Sequence, residues 1–276
     1  MSIIEKAISR LDNTQPEEEE KDATSERPSI KPQRIHIDAQ RLCGLNPSTT
    51  QGLLPYLADE YRRIKRPLLA NAFGRQAHRI KDGNLILITS SVPGEGKSFT
   101  AGNLALSIAT ERDRTVLLID GDIAKSRITQ ITGLESQKGL VDLLLDDTLD
   151  ITDVLVKTDF PRLSIIPSGG MHHPHVTELF ASERMAHILN EISNRYSNRI
   201  ILFDAPPLLV TPETQILCDL MGQIALVVET GVTPKHIVNQ ALAMIGNEDK
   251  EIGLILNKAS GFSGGYDYSY GYGAET

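Results

Sequence analysis

The stretch LILITSSVPGEGKSFTAGNLALSIA, residues 85–109, places three structural signals in one continuous run. Its first six residues are mostly apolar and β-branched, which is typical of a strand buried on both faces. A turn with two glycines follows, and the remainder has the apolar spacing of a helix. Such a turn curls backbone N–H groups around a phosphate at the start of the helix. We therefore predict a phosphate-binding loop, and the GKS sequence in this position disfavours the alternative of a turn without a ligand.

The loop matches the phosphate-loop pattern except at its leading glycine, where Ser91 stands. In this pattern Lys97 reaches the β- and γ-phosphates, and the hydroxyl of Ser98 ligates Mg²⁺. We expect the nucleotide to contact the whole run of loop residues, Pro93, Gly94, Glu95, Gly96, Lys97, Ser98 and Phe99. The pattern predicts a nucleoside triphosphate with Mg²⁺, and it does not identify the group that receives the phosphate.

Short apolar runs and helical segments alternate from residue 84 onward, which indicates the fold class. The strand candidates are LILITS, TVLLID, LSIIPS, RIILFD, QIALVVET and IGLILNK. Buried strands that alternate with helices predict an α/β fold, a mostly parallel central sheet with helices on both faces. Ligands of such sheets bind at the carboxyl ends of the strands, so the chemistry is expected there.

Polar side chains follow three of these strands. Residues two apart in an extended chain point to the same face, so Asp120 and Asp122 in LLIDGD present their carboxylates side by side. One of them can hold the metal or its waters while the other accepts a proton from an incoming hydroxyl, or both can merely cap a turn. Asp122 is also a metal-ligand candidate, as is Asp204 in ILFD, which has the Walker B position. Asn257 suits a hydrogen bond to the adenine edge.

Composition excludes several classes of protein. The chain has 276 residues, a net charge of −8 and no broad basic character, which argues against a nucleic-acid partner. No apolar run approaches the roughly 18 residues that span a bilayer, and the N-terminus lacks the apolar core of a secretion signal. Its two cysteines, Cys43 and Cys218, have no metal-ligand spacing and imply no disulfide framework, so we expect a reduced, cytoplasmic compartment.

The chain ends differ from its centre. We predict a short amphipathic helix over residues 1–11, which either packs on its own domain or docks on another protein. Residues 12–50 have the charge and proline content of a disordered linker, and residues 51–260 form the nucleotide-binding domain. Residues 261–276 are a glycine-rich, flexible tail with four tyrosines, Tyr266, Tyr268, Tyr270 and Tyr272.

The motif set resembles the bacterial tyrosine kinases, over residues 50 to 276. The matching motifs are PGEGKS, LLIDGD, ILFDAPPLLVTPE, LILNK and the tyrosine-rich tail. Members of that family are phosphate-loop enzymes that phosphorylate their own C-terminal tyrosines. The stretch EYRRIKRPLL matches the motif through which the subunits of the family form rings, with Glu60, Arg63 and Arg66 at its three defining positions. These positions span an arc of roughly 120° on a helix, which is one usable face.

The resemblance implies an ATP- and Mg²⁺-dependent protein-tyrosine autokinase that regulates exopolysaccharide biosynthesis or export. The opening SIIEKAISRL, the linker and RPLLANAF resemble the subgroup encoded with exosortase-linked exopolysaccharide operons. In that subgroup the kinase is separate from a membrane-spanning chain-length partner, through which we expect the protein to reach the inner face of the plasma membrane. The phosphoacceptors would be the tail tyrosines, reached within one subunit or, as ring assembly favours, in a neighbour.

The sequence departs from the family pattern at several positions. Ala124 replaces the arginine of the D-x-D-x-R motif, so either Lys125 or Arg127 substitutes for it or a phosphate contact is lost. Glu213 stands where the family often has an aspartate. Three histidines, His172, His173 and His175, form an exposed loop or, alternatively, a metal site, although no accompanying cysteine or carboxylate set supports the metal.

Two other functions fit the same residues. The first is a partition- or division-site-type ATPase, which passes phosphate to water. The phosphate loop of such proteins resembles K-G-G-x-G-K, and Val92 stands at the position of its first lysine, which argues against this function. A non-catalytic scaffold would bind nucleotide only to control its assembly with a membrane polysaccharide machine. The intact lysine and aspartates argue against the scaffold, whereas Ala124 favours it.

Overall fold

The structure is a computed structural model of the whole chain. It describes residues 34–36, 42, 53–74, 80–170, 174–195, 198–246 and 250–259. The chain divides into two units, Met1–Lys31 and Pro32–Thr276, and every described residue belongs to the second. The expected helix at 1–11 and the tyrosine tail at 261–276 therefore lie outside the described residues, as does most of the expected linker.

Eight strands form one sheet in the described part of the chain. They are β1 (Arg34–Ile35), β2 (Leu85–Ser90), β3 (Thr115–Asp120), β4 (Val156–Thr158), β5 (Leu163–Ile166), β6 (Arg199–Asp204), β7 (Gln223–Glu229) and β8 (Glu251–Asn257). The strand order is β1-β4-β5-β3-β6-β2-β7-β8, and all pairs are parallel except β4 with β5. The prediction of a mostly parallel sheet is confirmed.

Nine helices flank this sheet among the described residues. They are α1 (Leu53–Phe73), α2 (Lys97–Ala109), α3 (Arg127–Thr132), α4 (Leu140–Leu145), α5 (Ile151–Val154), α6 (Val176–Phe180), α7 (Glu183–Arg195), α8 (Pro212–Leu220) and α9 (Lys235–Ile245). None of the helices in these ranges is long and apolar enough to cross a membrane.

The core has two halves, one on each face of the sheet. Helices α1, α2 and α3 pack in the cluster that contains Leu104 and Ile108, and α4 to α9 pack in the cluster that contains Phe180 and Phe203. The central strands β2, β3 and β6 are buried along nearly their whole length, as the apolar runs predict. Because these strands are parallel and adjacent, the residues after β2, β3 and β6 meet at one edge of the sheet.

Helix α1 is fastened to the far end of α2 by a buried lysine. Lys65 is 2% exposed, and its Nζ donates to the carbonyl of Ser107 over 2.6 Å and to Thr110 Oγ1 over 3.2 Å. The same Nζ lies 2.7 Å from Glu111 Oε1. A cation among the last carbonyls of a helix is favourable, because that end carries the negative part of the helix dipole.

Candidate active site

The phosphate loop connects β2 to α2 with a backbone that needs glycine. Gly94 has a φ of 95° and Gly96 a φ of 97°, both in the left-handed region that favours glycine. A Cβ on Gly96 would meet the side-chain nitrogen of Asn257, so a larger residue there would have to displace that side chain. Helix α2 begins at Lys97, and its first N–H groups have no partner within the helix. The loop is therefore built to receive an anion.

A cavity of about 680 Å³ lies in front of this loop. Six of the predicted nucleotide contacts line it: Pro93, Gly94, Gly96, Lys97, Ser98 and Phe99. Asp122, Ala124, Lys125 and Arg127 also line it, so the two cations that accompany Ala124 in the sequence border the space expected for phosphates. The structure thus brings most of the predicted nucleotide site together in one place.

Lys97 is the electrostatic centre of the site. Its Nζ lies 2.6 Å from Asp122 Oδ2 and 3.6 Å from Asp204 Oδ1, and it donates to Ser98 Oγ over 3.2 Å. Burial alone would lower the pKa of Lys97, but the neighbouring carboxylates of Asp204 and Asp122 outweigh burial and raise it. The ammonium group therefore keeps its charge while it is almost withdrawn from solvent.

The negative charges of the carboxylates around Lys97 are only partly balanced by hydrogen-bond donors and cations of the protein. The Ser98 hydroxyl and the Lys97 ammonium group lie beside Asp204, but no described residue forms a hydrogen bond of normal geometry with either oxygen of Asp204 or with Oδ1 of Asp120. Burial raises the pKa of Asp204, and burial together with the charge of Asp204 raises the pKa of Asp120 to about 7. Buried carboxylate oxygens without donors fit a cation, and with the Ser98 hydroxyl they offer the oxygen ligands that Mg²⁺ prefers.

Asp120 and Asp122 occupy different environments, which the sequence did not separate. Asp120 is fully buried, and its Oδ2 accepts from both the backbone N–H and the hydroxyl of Thr129 over 2.7 Å each. Asp122 lies at the wall of the cavity and holds Lys97. Only Asp122 of this pair therefore borders the space in which a substrate hydroxyl can approach.

Asn257 lies against the phosphate loop itself. Its Nδ2 donates to the backbone carbonyl of Glu95 over 2.8 Å, so this half of the amide already has a partner in the protein. Three residues near the loop were missed by sequence reasoning, namely Glu229, Thr233 and Lys258. Their only signal in the sequence is their position at or just beyond the carboxyl ends of β7 and β8.

The remaining predicted residues lie away from Lys97 or outside the described ranges. On α1, Glu60 borders a groove beside β8, and Arg63 and Arg66 are exposed. Glu213 accepts from the Thr177 hydroxyl over 2.9 Å at the wall of a second cavity of about 320 Å³.

The described residues contain no group of three acidic, histidine or cysteine side chains that could hold a metal, and His172 and His173 are not among the described residues. His175 is exposed, and its Nδ1 lies 3.9 Å from Oε2 of Glu178.

Comparisons with known proteins identify relatives of the chain. A family model described as an AAA domain matches residues 83–255. The tyrosine-protein kinase YwqD of Bacillus subtilis (strain 168) is 30% identical over 201 residues, which cover 72% of this chain and 80% of YwqD. The succinoglycan biosynthesis transport protein ExoP of Rhizobium meliloti (strain 1021) is 32% identical over 205 residues, which cover 70% of this chain and 25% of ExoP. This chain spans about a quarter of the length of some curated relatives that it matches, ExoP among them.

The fold of a solved structure is similar as well. The crystal structure of the VpsO kinase domain matches with a TM-score of 0.63 and 26% identity. The match covers 76% of this chain and 98% of that domain. The strands and helices that carry the phosphate loop are therefore part of an arrangement that is found in a known kinase domain.

Proposed function

The chain belongs to the bacterial tyrosine kinase family, and from that premise we propose that it transfers the γ-phosphoryl group of ATP to tyrosines near its own C-terminus. The observation that carries the proposal is the position of Lys97. This buried lysine follows the glycines of the phosphate loop and is paired with the carboxylates of Asp122 and Asp204. Lys97 and the loop amides would neutralise the negative charge of the β- and γ-phosphates.

Mg²⁺ fits the oxygen atoms beside Lys97. Ser98, Asp204 and Asp122 are the candidate residues to hold it or its waters, because their side-chain oxygens are close to Lys97 and the Asp204 oxygens form no hydrogen bond of normal geometry with a described residue. When bound, Mg²⁺ would supply further positive charge against the phosphates. Magnesium sites of this kind keep several waters and use phosphate oxygens, so a cluster of three protein carboxylates is not required.

Asp122 is our candidate for the group that accepts the proton of the tyrosine hydroxyl. The phenol oxygen would form a bond to the γ-phosphorus as the bond to the bridging oxygen of ADP breaks, and the phenol proton would pass to the carboxylate. A free tyrosine has a pKa of about 10, so a base beside the acceptor matters at neutral pH. Asp122 borders the cavity, whereas Asp120 is fully buried and bound to Thr129. We therefore assign Asp120 to holding the turn after β3.

The acceptors in this proposal are Tyr266, Tyr268, Tyr270 and Tyr272, and the described part of the chain ends close to the nucleotide cavity. Lys258 Nζ donates to the carbonyl of Gly94 over 2.8 Å, so the root of the tail lies on the phosphate loop. Tyr266 is eight positions after Lys258, a distance of at most about 28 Å when the chain is extended. That reach is compatible with phosphorylation of the same subunit or of a neighbour.

The partners in this proposal are other copies of the chain and a membrane-spanning polysaccharide chain-length protein. Arg63 and Arg66 are exposed on α1, where a ring contact through the family motif would need them. The name of the relative ExoP connects a similar sequence to the biosynthesis and transport of a polysaccharide. We propose that such a partner brings the chain to the inner face of the plasma membrane and that phosphorylation regulates exopolysaccharide synthesis or export.

The test is incubation of the full chain with Mg·ATP, followed by an anti-phosphotyrosine blot, mass spectrometry and a phosphate-release assay. The proposal expects phosphate on the tail tyrosines. Release of inorganic phosphate without phosphotyrosine would favour the partition-type ATPase instead, and nucleotide binding without either product would favour the scaffold. Modification of Tyr56, Tyr61 or Tyr196 in place of the tail would contradict the assignment of the acceptors.

A further inference from the structure

Glu95 is a carboxylate inside a loop that receives polyphosphate. It is 1% exposed and, unlike its neighbours Gly94 and Gly96, it does not line the nucleotide cavity. A negative charge this close to bound phosphates is unfavourable unless donors in the protein hold it in place and turn it away from them. The contacts of Glu95 show where that compensation comes from.

Two regions of the chain donate to the Glu95 carboxylate in the described residues. Oε2 accepts from the backbone N–H of Val92 within the loop over 2.8 Å. Oε1 accepts from the backbone N–H of Glu229 at the end of β7 over 3.2 Å and from the hydroxyl of Thr233, which lies just before α9. The side chain thereby ties the loop to the carboxyl end of β7.

The end of strand β8 supports the same loop through its backbone carbonyls. Asn257 donates to the carbonyl of Glu95 over 2.8 Å, and Lys258 donates to the carbonyl of Gly94 over 2.8 Å. Lys258 also lies 2.9 Å from a carboxylate oxygen of Glu229. The turn that precedes Gly96 is thus held by the ends of both strands at this edge of the sheet.

We propose that Glu95 is a positioning residue that holds the phosphate loop in the shape that binds nucleotide. It acts through Val92, Glu229 and Thr233 and does not touch the nucleotide with its side chain. With Val92 held by Glu95, the turn at Gly94 and Gly96 keeps the remaining N–H groups directed at the phosphates. This inference rests on the proposed binding of a nucleoside triphosphate at the loop, and it adds the part of the protein that sets the loop geometry.

The substitutions Glu95→Ala, Glu95→Gln and Thr233→Val make a graded series. Alanine removes both acceptor oxygens, so the dissociation constant for Mg·ADP should rise about tenfold or more, as expected from two or more hydrogen bonds. Glutamine keeps one acceptor oxygen and turns an NH₂ group toward a donor, so its effect should be intermediate. Valine at position 233 removes one donor and should raise the dissociation constant by about two- to threefold.

The measurement is calorimetric titration of the full chain with Mg·ADP, together with thermal unfolding without nucleotide. The matched control is Glu111→Gln, which weakens the contact with Lys65 at the opposite end of α2. The control should lower the melting temperature without changing nucleotide affinity. The Glu95 variants should instead lower affinity, and in the kinase assay their KM for ATP should rise more than kcat falls.

Several outcomes would overturn the inference. One is a Glu95→Ala variant that binds Mg·ADP as tightly as the native chain, whatever happens to its melting temperature, because the role would then be structural only. If alanine prevents folding, equal affinities for native chain, Glu95→Gln and Thr233→Val would overturn it just as well. A native chain that binds no Mg·ADP would sink the proposed function together with this inference, and that result is distinguishable from the first two.

Discussion

A buried lysine lies at each end of helix α2, Lys65 of α1 at one end and Lys97 at the other. Their surroundings differ in one respect that distinguishes a structural contact from a functional site. Lys65 reaches the C-terminal end, where a carbonyl, a hydroxyl and the carboxylate of Glu111 all meet its ammonium group. Lys97 begins the helix, where the helix dipole opposes a positive charge, and it lies among carboxylates.

The difference lies in what remains unsatisfied around each lysine. Lys65 has partners for its charge, and Glu111 has its pKa lowered, chiefly by its hydrogen bond to Lys65. Beside Lys97, neither oxygen of Asp204 forms a hydrogen bond of normal geometry with a described residue, and burial raises the pKa of that carboxyl although Lys97 and Ser98 lie near it. A buried network that is satisfied stabilises a fold, whereas one that is short of partners is typical of a site that awaits a ligand.

The largest expected effect comes from removing the lysine at the functional end. Lys97→Met should lower phosphotyrosine on the tail by about 10²-fold or more, since the cation that offsets the developing phosphate charge is lost. Quantitative mass spectrometry after incubation with Mg·ATP measures the effect, and circular dichroism checks that the variant is folded. Native levels of phosphotyrosine in the folded variant would remove Lys97 from the catalytic site.

The sequence predicted those features of the fold that depend on local patterns. The strand–loop–helix run at 85–109 and the six apolar strands are continuous patterns in the chain, and the strands and helix α2 of the structure confirm them. The short strands β1 and β4, with two and three residues, carry too little pattern to be recognised. The antiparallel pairing of β4 with β5 was missed for the same reason.

Contacts between distant residues were not predictable from the sequence. Lys65 lies in a stretch with three arginines that indicates an exposed helix face, yet its ammonium group bonds to Ser107, 42 residues away. The support of the phosphate loop by Glu229 and Lys258 joins residues 134 and 164 positions apart. Asp120 and Asp122 are both buried, and the partners that distinguish them are also set by the fold, since Asp120 binds Thr129 in the turn after β3 and Asp122 pairs with Lys97.

A second variant at the functional end should change activity and stability in opposite directions. Asp204→Asn should lower kinase activity by about 10- to 100-fold, as expected for a residue that supports the metal, with partial rescue by excess Mg²⁺. It should also raise the stability of the nucleotide-free protein by about 1 kcal/mol, because a buried carboxyl whose charged form is disfavoured by burial becomes a neutral amide and Lys97 keeps Asp122. Unchanged activity at every Mg²⁺ concentration, or a lower melting temperature, would contradict the role of Asp204.

The corresponding change at the structural end should leave catalysis alone. Lys65→Met removes the hydrogen bonds to Ser107 and Thr110 and the ion pair with Glu111, and should cost about 1–3 kcal/mol in the free energy of unfolding, measured with urea. Phosphotyrosine formed per folded molecule should stay within about twofold of the native chain, in contrast to Lys97→Met. A loss of activity as large as that of Lys97→Met would show that the two ends of α2 are not separate.

The pH dependence of stability provides a check on the Lys65 variant. The pKa of Glu111 is lowered in the folded state from its ordinary 4.5, so its contact with Lys65 stabilises the fold above that pH. That contribution is lost as the pH falls through the lowered folded-state pKa. The stability difference between the native chain and Lys65→Met should therefore shrink on acidification below about pH 4.5, and a difference that stays constant would mean that the ion pair contributes nothing.

The smallest effect on stability is expected on the opposite side of α1, where Arg63 and Arg66 are exposed and Glu60 is half-buried. Replacing all three residues together by alanine should change the free energy of unfolding by no more than about 0.5 kcal/mol, because surface substitutions that break no specific contact have small effects. The same helix carries Lys65 on its inward side, so this variant and Lys65→Met compare two faces of one element.

If the outward face joins subunits, the triple variant should lower the mass measured by light scattering while its circular dichroism spectrum and its urea midpoint stay native. A native chain that forms oligomers and a triple variant of the same mass would assign these three residues to the solvated surface. A native chain that is monomeric by itself calls for the same pair of measurements with the cytoplasmic segment of the membrane partner added, and equal masses there would also end the ring hypothesis for this face.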